Sequence, residues 1–203
     1  MHPREGLVLH LVNFDDNGKI RPILYRASLS EMFIPYGDPD VNWRWRAAFD
    51  VGEYGIGRLA SPLEPKLDAP ENTQFVDASF VDDFGKPYTL EGVIGIYERD
   101  GGILWKHFDT DSGKNETRRA RELVLISVAT IGNYDYIISY IFKQDGSIEV
   151  EVGLTGIMLA KGVNEKRADE SHSVMSETSG HLVAENIVAP HHQHFFNFRL
   201  DFD

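Results

Sequence analysis

The stretch ELVLISVATIGNYDYIISYIF, residues 122–142, decides the fold class. Residues 122–130 and 136–142 are rich in β-branched and aromatic side chains, and apolar residues occupy neighbouring positions in both runs. This composition is typical of strands that are buried on both faces. Short runs of this kind, separated by turn residues, recur along the chain and predict an antiparallel β-sheet protein.

The regions on either side of this stretch repeat the pattern. Residues 7–12 and 23–26 predict two strands around a turn at residues 15–19, because Asn17-Gly18 tolerates positive φ. Residues 147–154 alternate apolar with polar or small side chains, which predicts a half-buried strand. The remaining expected hairpin has strands at 93–97 and 103–107 and a turn at 99–102.

Two segments lack a strand pattern. Residues 40–48 predict a short helix or irregular stretch, whereas residues 161–180 are polar and without periodicity, which predicts a long exposed loop. The sequence therefore predicts a mostly-β antiparallel sandwich with few helices.

Composition narrows the classes of function. The chain has 203 residues, 42% of them hydrophobic, which is enough for one domain with a substantial core. The formal charge of -12 argues against nucleic acid as a partner and favours cationic ligands such as amines, although solubility alone also explains it. Cysteine is absent, which excludes disulfides and thiolate chemistry.

The chain also lacks the signals that would place it in or across a membrane. No apolar run approaches the roughly 18 residues of a membrane span, and the N-terminus has no apolar signal core that would indicate a targeting segment. Residues 199–203 continue an alternating strand pattern and then stop, which predicts a fragment of a longer domain.

A pair of histidines gives the first chemical signal. His192 and His194 are two positions apart, so on a strand both imidazoles project to one face and can reach one metal ion. Neutral imidazole suits copper, zinc, iron or nickel, and the spacing does not choose among them. His191 is expected to point to the opposite face.

The second signal is the segment Thr130-Ile131-Gly132-Asn133-Tyr134-Asp135-Tyr136. It resembles the sequence around the tyrosine that copper amine oxidases convert into their topaquinone cofactor. The spacing from Tyr134 to His192 and His194 also resembles that family. The resemblance implies that Tyr134 is the quinone precursor and that the two histidines bind copper, with a third histidine ligand beyond residue 203.

Further segments carry the same resemblance. Residues 49–57, FDVGEYGIG, are similar to the family segment with the catalytic base, which maps to Asp50. Residues 34–39, IPYGDP, are similar to the segment whose tyrosine hydrogen-bonds the quinone, which maps to Tyr36. By the same likeness Asn133 covers one side of the cofactor, and Asp135 lies at the other end of the turn. Many relatives have an aromatic gate where this chain has Ala48, which implies a wider channel mouth or replacement by Phe49, Trp43 or Trp45.

The end of the chain resembles a structural calcium site of the family. The side chains of Asp201 and Asp203 and the carbonyl of Phe202 are the implied ligands, and oxygen donors of this type suit calcium. The plain alternative is a set of charges at the end of an exposed strand.

The resemblance covers nearly all of residues 2–203 and weakens in residues 161–180. It implies the N-terminal half of a β-sandwich catalytic domain, truncated before the third copper ligand, in a homodimer. A periplasmic or extracellular location follows from the family alone.

The implied reaction converts a primary amine, dioxygen and water into an aldehyde, ammonia and hydrogen peroxide, with copper and topaquinone as cofactors. Two alternatives remain open. The chain is a non-catalytic β-sandwich remnant, or it is a cupin-like metal oxygenase, which would leave the segment around Tyr134 unexplained.

Overall fold

The computed structural model describes residues 1–164, 166 and 179–202. Its elements, in chain order, are β1 (Leu9–Asp16), β2 (Lys19–Pro35), β3 (Ala47–Phe49), a single-turn π-helix (Asp50–Tyr54), β4 (Ala60–Ser61), β5 (Gln74–Val81), β6 (Pro87–Phe108), β7 (Asn115–Ile131), β8 (Tyr134–Lys143), β9 (Ile148–Gly156), β10 (Lys161–Gly162), β11 (Gly180–Ala184), β12 (Ile187–Pro190) and β13 (Phe195–Phe202). The predicted mostly-β antiparallel class is confirmed.

The chain divides into two compact units. The first comprises residues 60–129 and 136–154 together with Met1, and it contains a sheet in the order β5-β6-β7-β8-β9, with β4 paired to β7. Val93, Val124, Tyr140 and Ile141 are almost completely buried in it. The strongly apolar strands predicted around residues 122–130 and 136–142 therefore supply its core.

The second unit comprises residues 2–59, 130–135 and 155–203. It contains a sheet in the order β1-β2-β13, with β3 paired to β2, and a small sheet in the order β10-β12-β11. Strand β2 runs through its middle and buries Leu24, Leu29 and Met32. The two-residue turn between β7 and β8 belongs to this unit, as do all the predicted catalytic and copper-binding residues.

The predicted hairpin at residues 93–107 is wrong. Strand β6 continues through this region, from Pro87 to Phe108, and pairs with β7 along its length, from Gly95 opposite Ile126 to Phe108 opposite Asn115. The Asp100-Gly101-Gly102 segment shifts the register instead of reversing the chain. Extra residues in one strand of an antiparallel pair make a bulge, and a bulge uses the same glycines as a turn.

Two other segments differ from expectation. Of the two alternatives predicted for residues 40–48, the irregular stretch is the one found at residues 40–45, which form turns and a bend, whereas strand β3 follows at Ala47–Phe49. The predicted loop 161–180 begins with strand β10 and ends at buried Ser179 and Gly180. Residue 165 and residues 167–178 of that loop lie outside the described residues. The alternation predicted for residues 147–154 is present in β9 at Ile148, Val150 and Val152, which are half-buried, but not at Leu154, which is 54% exposed.

Candidate functional site

The two predicted copper ligands lie side by side between β12 and β13. The ring centroids of His192 and His194 are 4.9 Å apart, at an interplanar angle of 62°. His191 is exposed, as the alternation predicted. Spacing of i and i+2 in extended chain has therefore placed both imidazoles on one side of the backbone.

Hydrogen bonding fixes the tautomer of His192. Its Nδ1 lies 2.9 Å from the carbonyl oxygen of Pro190, and because a carbonyl can only accept, Nδ1–H donates this bond. In the neutral ring the lone pair is then on Nε2. Orientation of a ring through its other nitrogen is the usual arrangement of a metal-binding histidine.

Tyr134 points at the same place. Its hydroxyl oxygen is 3.1 Å from His192 Nε2, and its ring centroid is 5.2 Å from that of His194, edge to face. The backbone N–H of Leu159 donates to the same hydroxyl oxygen over 3.1 Å. The structure therefore brings together the predicted quinone precursor and the predicted copper ligands.

Tyr36 stacks on one face of the His192 ring. The residues pair through an isolated antiparallel bridge, and their rings stack at 4.6 Å with an interplanar angle of 18°. Trp43 packs edge-on against Tyr36 at 5.8 Å, and the Arg46 guanidinium lies over the Trp43 ring.

The ionisation of two groups is shifted at this site. Burial and, next, hydrogen bonding to Tyr134 raise the pKa of Tyr36, and the negative charge of Asp50 raises it further. Burial, followed by the neighbouring His192, lowers the pKa of His194. Tyr36 is therefore held as a protonated phenol and His194 as a neutral imidazole, which is the form that binds metal.

Asp50 is the first residue of the π-helix and is only 4% exposed. Its negative charge is one of the lesser causes that raise the pKa of Tyr36. Asp50 belongs to the same compact unit as Tyr36, Tyr134, His192 and His194.

Asn133 and Asp135 hold the turn that presents Tyr134. Asn133 is exposed, and its backbone carbonyl oxygen accepts a 2.7 Å hydrogen bond from the Ile157 N–H. Asp135 accepts a 2.6 Å bond from the Thr130 hydroxyl. In this structure both residues support the turn.

Sequence reasoning missed Gly156, which lies directly against this turn. Its φ is +106°, and a Cβ at this position would lie 2.9 Å from the backbone nitrogen of Asp135 and still closer to the carbonyl oxygen of Asn133. Glycine is required for both reasons. The approach of Gly156 lets Ile157 and Leu159 reach the turn, and a glycine at the end of an alternating strand was the available signal.

A buried ion pair was also missed. Asp38, in the quoted IPYGDP segment, is 2% exposed and pairs with Lys161, which the sequence placed in an exposed loop. The Lys161 ammonium is also 6.0 Å from the centroid of the Trp43 ring. Lys161 therefore connects the segment after Gly156 to the segment after Tyr36.

The residues around the position of the expected aromatic gate differ in exposure and contacts. Ala48 is half-buried and pairs with Ile34, whereas Trp45 is 69% exposed. Phe49 packs on Phe33 with centroids 5.0 Å apart, and Trp43 contacts Tyr36. Of the three proposed substitutes for the gate, Trp43 packs against Tyr36 and Phe49 directly precedes Asp50.

The predicted calcium ligands are only partly described. The Asp201 carboxylate pairs with Arg199, and the Phe202 side chain is 65% exposed at the end of β13. Asp203 lies outside the described residues. Calcium binding at Asp201, Phe202 and Asp203 stays a prediction.

Comparison with known proteins assigns the sequence of this chain to one family. The copper amine oxidase enzyme domain matches residues 1–203. The chain belongs to the copper amine oxidase family. It is 41% identical over 203 residues to a primary amine oxidase of Klebsiella aerogenes and 42% identical over 198 residues to a histamine oxidase of Arthrobacter globiformis.

Solved structures agree with the sequence relatives. A copper-containing benzylamine oxidase from Hansenula polymorpha superposes with a TM-score of 0.84 at 32% identity, covering 98% of this chain and 30% of that one. The two sequence relatives are matched over 100% and 98% of this chain, which spans 27% and 28% of their lengths. The β-sandwich predicted for this copper amine oxidase chain is confirmed.

Proposed function

We propose that this chain supplies the quinone and part of the copper site of a primary-amine oxidase. The overall reaction takes one amine, one dioxygen and one water to an aldehyde, ammonia and hydrogen peroxide. The observation that carries the proposal is the 3.1 Å contact between the Tyr134 hydroxyl and His192 Nε2, beside His194. A phenol in contact with two neutral imidazoles is placed for oxidation by a metal that those imidazoles bind.

The residues fit copper as two of its ligands. His192 has its tautomer fixed by Pro190, and His194 is kept neutral by burial. Within residues 1–164, 166 and 179–202 no group of three or more His, Cys, Asp or Glu side chains could hold a metal, so further ligands must come from elsewhere. Bound copper supplies the redox chemistry with dioxygen that makes topaquinone from Tyr134.

The protein's own contribution to the quinone is orientation. Leu159 N–H and His192 hold the Tyr134 oxygen from two directions, and the turn that carries Tyr134 is itself held by Ile157. Tyr36 stays protonated and is hydrogen-bonded to Tyr134, so it can keep the ring in one orientation. His192 Nε2 would be the nitrogen available to copper, and the Leu159 N–H contact to the Tyr134 oxygen does not depend on that nitrogen.

Asp50 is the proposed general base. It is buried, and its charge is felt by Tyr36, which itself contacts Tyr134. A carboxylate in this position would be able to take a proton from the α-carbon of a bound amine. Asn133 acts only through the turn.

The substrate class follows from charge and from the site's mouth. A net charge of -12 attracts protonated amines, and Ala48 leaves space where many relatives have an aromatic gate. We propose aryl-alkyl amines such as phenylethylamine or tyramine. Two of the similar proteins are named for benzylamine and histamine, which also join an amine to a ring.

Aerobic addition of copper to metal-free protein tests the proposal. We expect a visible chromophore and added mass at Tyr134, and Tyr134→Phe is expected to stay colourless with normal folding by circular dichroism. A colourless wild-type product of unchanged mass would contradict quinone formation. It would favour the alternative that this chain is a non-catalytic β-sandwich, for which the two-histidine donor set is the supporting observation.

Asp50→Asn separates cofactor formation from turnover. We expect the chromophore to form as in the wild type, whereas amine oxidation falls by about 100-fold or more, since general base catalysis contributes on that scale. Amine-dependent hydrogen peroxide release measures turnover. Unchanged release would remove Asp50 from this role.

A further inference from the structure

The proposed base depends on a helix that is too short to hold itself. The π-helix that begins at Asp50 has only five residues, and the first N–H groups of a helix have no partners within it. Asp50 also directly follows strand β3, which ends at Phe49. Its direction therefore depends on groups outside the helix that bind these N–H groups.

Glu31, on strand β2, provides that support. Its Oε1 accepts hydrogen bonds from Val51 N–H and Gly52 N–H, each at 3.1 Å, and from Met32 N–H at 2.9 Å. The first two are the backbone amides that directly follow Asp50. One carboxylate oxygen thus connects the central strand to the first turn of the helix.

The absence of a side chain at Gly52 makes this approach possible. A Cβ at residue 52 would lie 2.7 Å from Glu31 Oε2 and 3.7 Å from Arg4 Nη2. Any larger residue would push the carboxylate away from the two amides. The hydrogen bonds of Glu31 to these two amides therefore depend on glycine at residue 52.

A second carboxylate fixes the start of the same turn. Glu53 Oε2 accepts a 2.8 Å hydrogen bond from Phe49 N–H, the residue before Asp50. The backbone on both sides of Asp50 is thus held by carboxylates, one from β2 and one from the helix itself. Glu31 comes from a neighbouring strand, whereas Glu53 is local to the turn.

We propose that Glu31 is the positioning residue for the general base, holding the backbone that carries Asp50 through the amides of Val51 and Gly52. The inference rests on the proposed function for its catalytic consequence, but the positioning itself is independent of copper. Glu31 touches neither the predicted copper ligands nor Tyr134 in the hydrogen bonds described above. Its loss should therefore affect turnover and leave quinone formation intact.

The test compares Glu31→Ala and Glu31→Gln with the wild type and with Glu91→Ala, a change at an exposed glutamate on β6. Amide exchange at Val51 and Gly52 is measured in the metal-free protein. We expect exchange in Glu31→Ala to be faster by about 10-fold, the effect of one lost hydrogen bond. Glu31→Gln, which keeps an acceptor oxygen, is expected to recover much of the protection.

Quinone content, kcat and KM are then measured for the same variants after aerobic addition of copper. We expect normal quinone content in both, kcat lower by about 100-fold in Glu31→Ala with little change in KM, and partial rescue in Glu31→Gln. If the amides of Val51 and Gly52 exchanged in Glu31→Ala at the wild-type rate, the positioning role would be overturned. Loss of quinone in parallel with kcat in that variant would overturn it as well. A wild-type protein that forms no quinone would count against the proposed function, and the exchange result would still decide the role of Glu31.

Discussion

Two tight turns in the same compact unit have the same length and different support. Asn17-Gly18 joins β1 to β2, and Gly132-Asn133 joins β7 to β8. The first has positive φ at both positions, as a type I′ turn requires, and the second has it at Gly132, where a type II′ turn takes glycine. Both turns are therefore satisfied locally by sequences that favour them.

Their surroundings separate a connecting turn from a functional one. The first is held by its own residues, because Gly18 N–H donates to Asp15 Oδ1 over 2.6 Å. The second turn, which carries Tyr134, has a local hydrogen bond from the Thr130 hydroxyl to Asp135 and is also contacted from outside by Gly156, Ile157 and Leu159. The turn with the chemically demanding side chain thus has contacts distant in sequence in addition to a local one, whereas the hydrogen bond described at the simple reversal is local.

Replacement of Gly156 by alanine is expected to have the largest effect on this difference. The new Cβ meets the turn backbone and is strained at φ +106°, so we expect a loss of about 3 kcal/mol in the free energy of unfolding. Because the turn must shift, chromophore formation at Tyr134 should also be lost. Chemical denaturation and the visible spectrum measure the two effects.

Gly18→Ala is the matched control for that change. Its φ is +90°, but a Cβ there has no neighbouring atom within 4 Å, so we expect only the strain of about 1 kcal/mol and normal chromophore formation. Equal losses in the two variants would mean that the close approach at Gly156 contributes nothing beyond backbone strain.

Tyr36→Phe is expected to have an intermediate effect. The change keeps the ring that stacks on His192 and removes the hydroxyl bonded to Tyr134, which costs about 1 kcal/mol of unfolding free energy at pH 8. Burial, hydrogen bonding and the charge of Asp50 raise the Tyr36 pKa above its ordinary value of 10.0. The unfolded chain therefore loses this proton first as pH rises.

The sign of the pH effect follows from this order. The stability contributed by protonated Tyr36 is fully present below pH 10 and declines as pH rises above it. Denaturation of metal-free protein between pH 8 and pH 11 should show a decline that is smaller in Tyr36→Phe. The same decline in both proteins would show that Tyr36 is not the residue responsible.

The sequence predicted the parts of this comparison that are local. Asn17-Gly18 predicted a turn, and the i, i+2 spacing predicted that His192 and His194 lie together. The family resemblance of three segments predicted Tyr36, Asp50 and Tyr134 as site residues, and all three belong to one compact unit. Local chemistry and motif likeness are both readable from neighbouring residues.

What the sequence did not predict depends on distant contacts. Gly156 and Leu159 matter because the chain returns to the Tyr134 turn, and Glu31 matters because β2 passes the helix that begins at Asp50. The glycines at residues 99–102 led to a wrong prediction of a turn. Strand β6 pairs with β7 on both sides of this segment, so the extra residue forms a bulge. Whether glycine makes a turn, a bulge or a close approach is decided by the partner strand.

The smallest expected effect concerns the locally supported turn. Asp15→Ala removes the acceptor for Gly18 N–H, which costs about 0.5 to 1 kcal/mol of unfolding free energy because the bond is exposed. Asp15→Asn keeps a side-chain oxygen and removes one negative charge from a chain of net charge -12, so we expect it to match or exceed the wild type. Both variants should form the Tyr134 chromophore normally. If Asp15→Asn were as destabilised as Asp15→Ala, the carboxylate charge and not the hydrogen bond would support this turn, and a loss of chromophore in either would mean that the two turns are coupled.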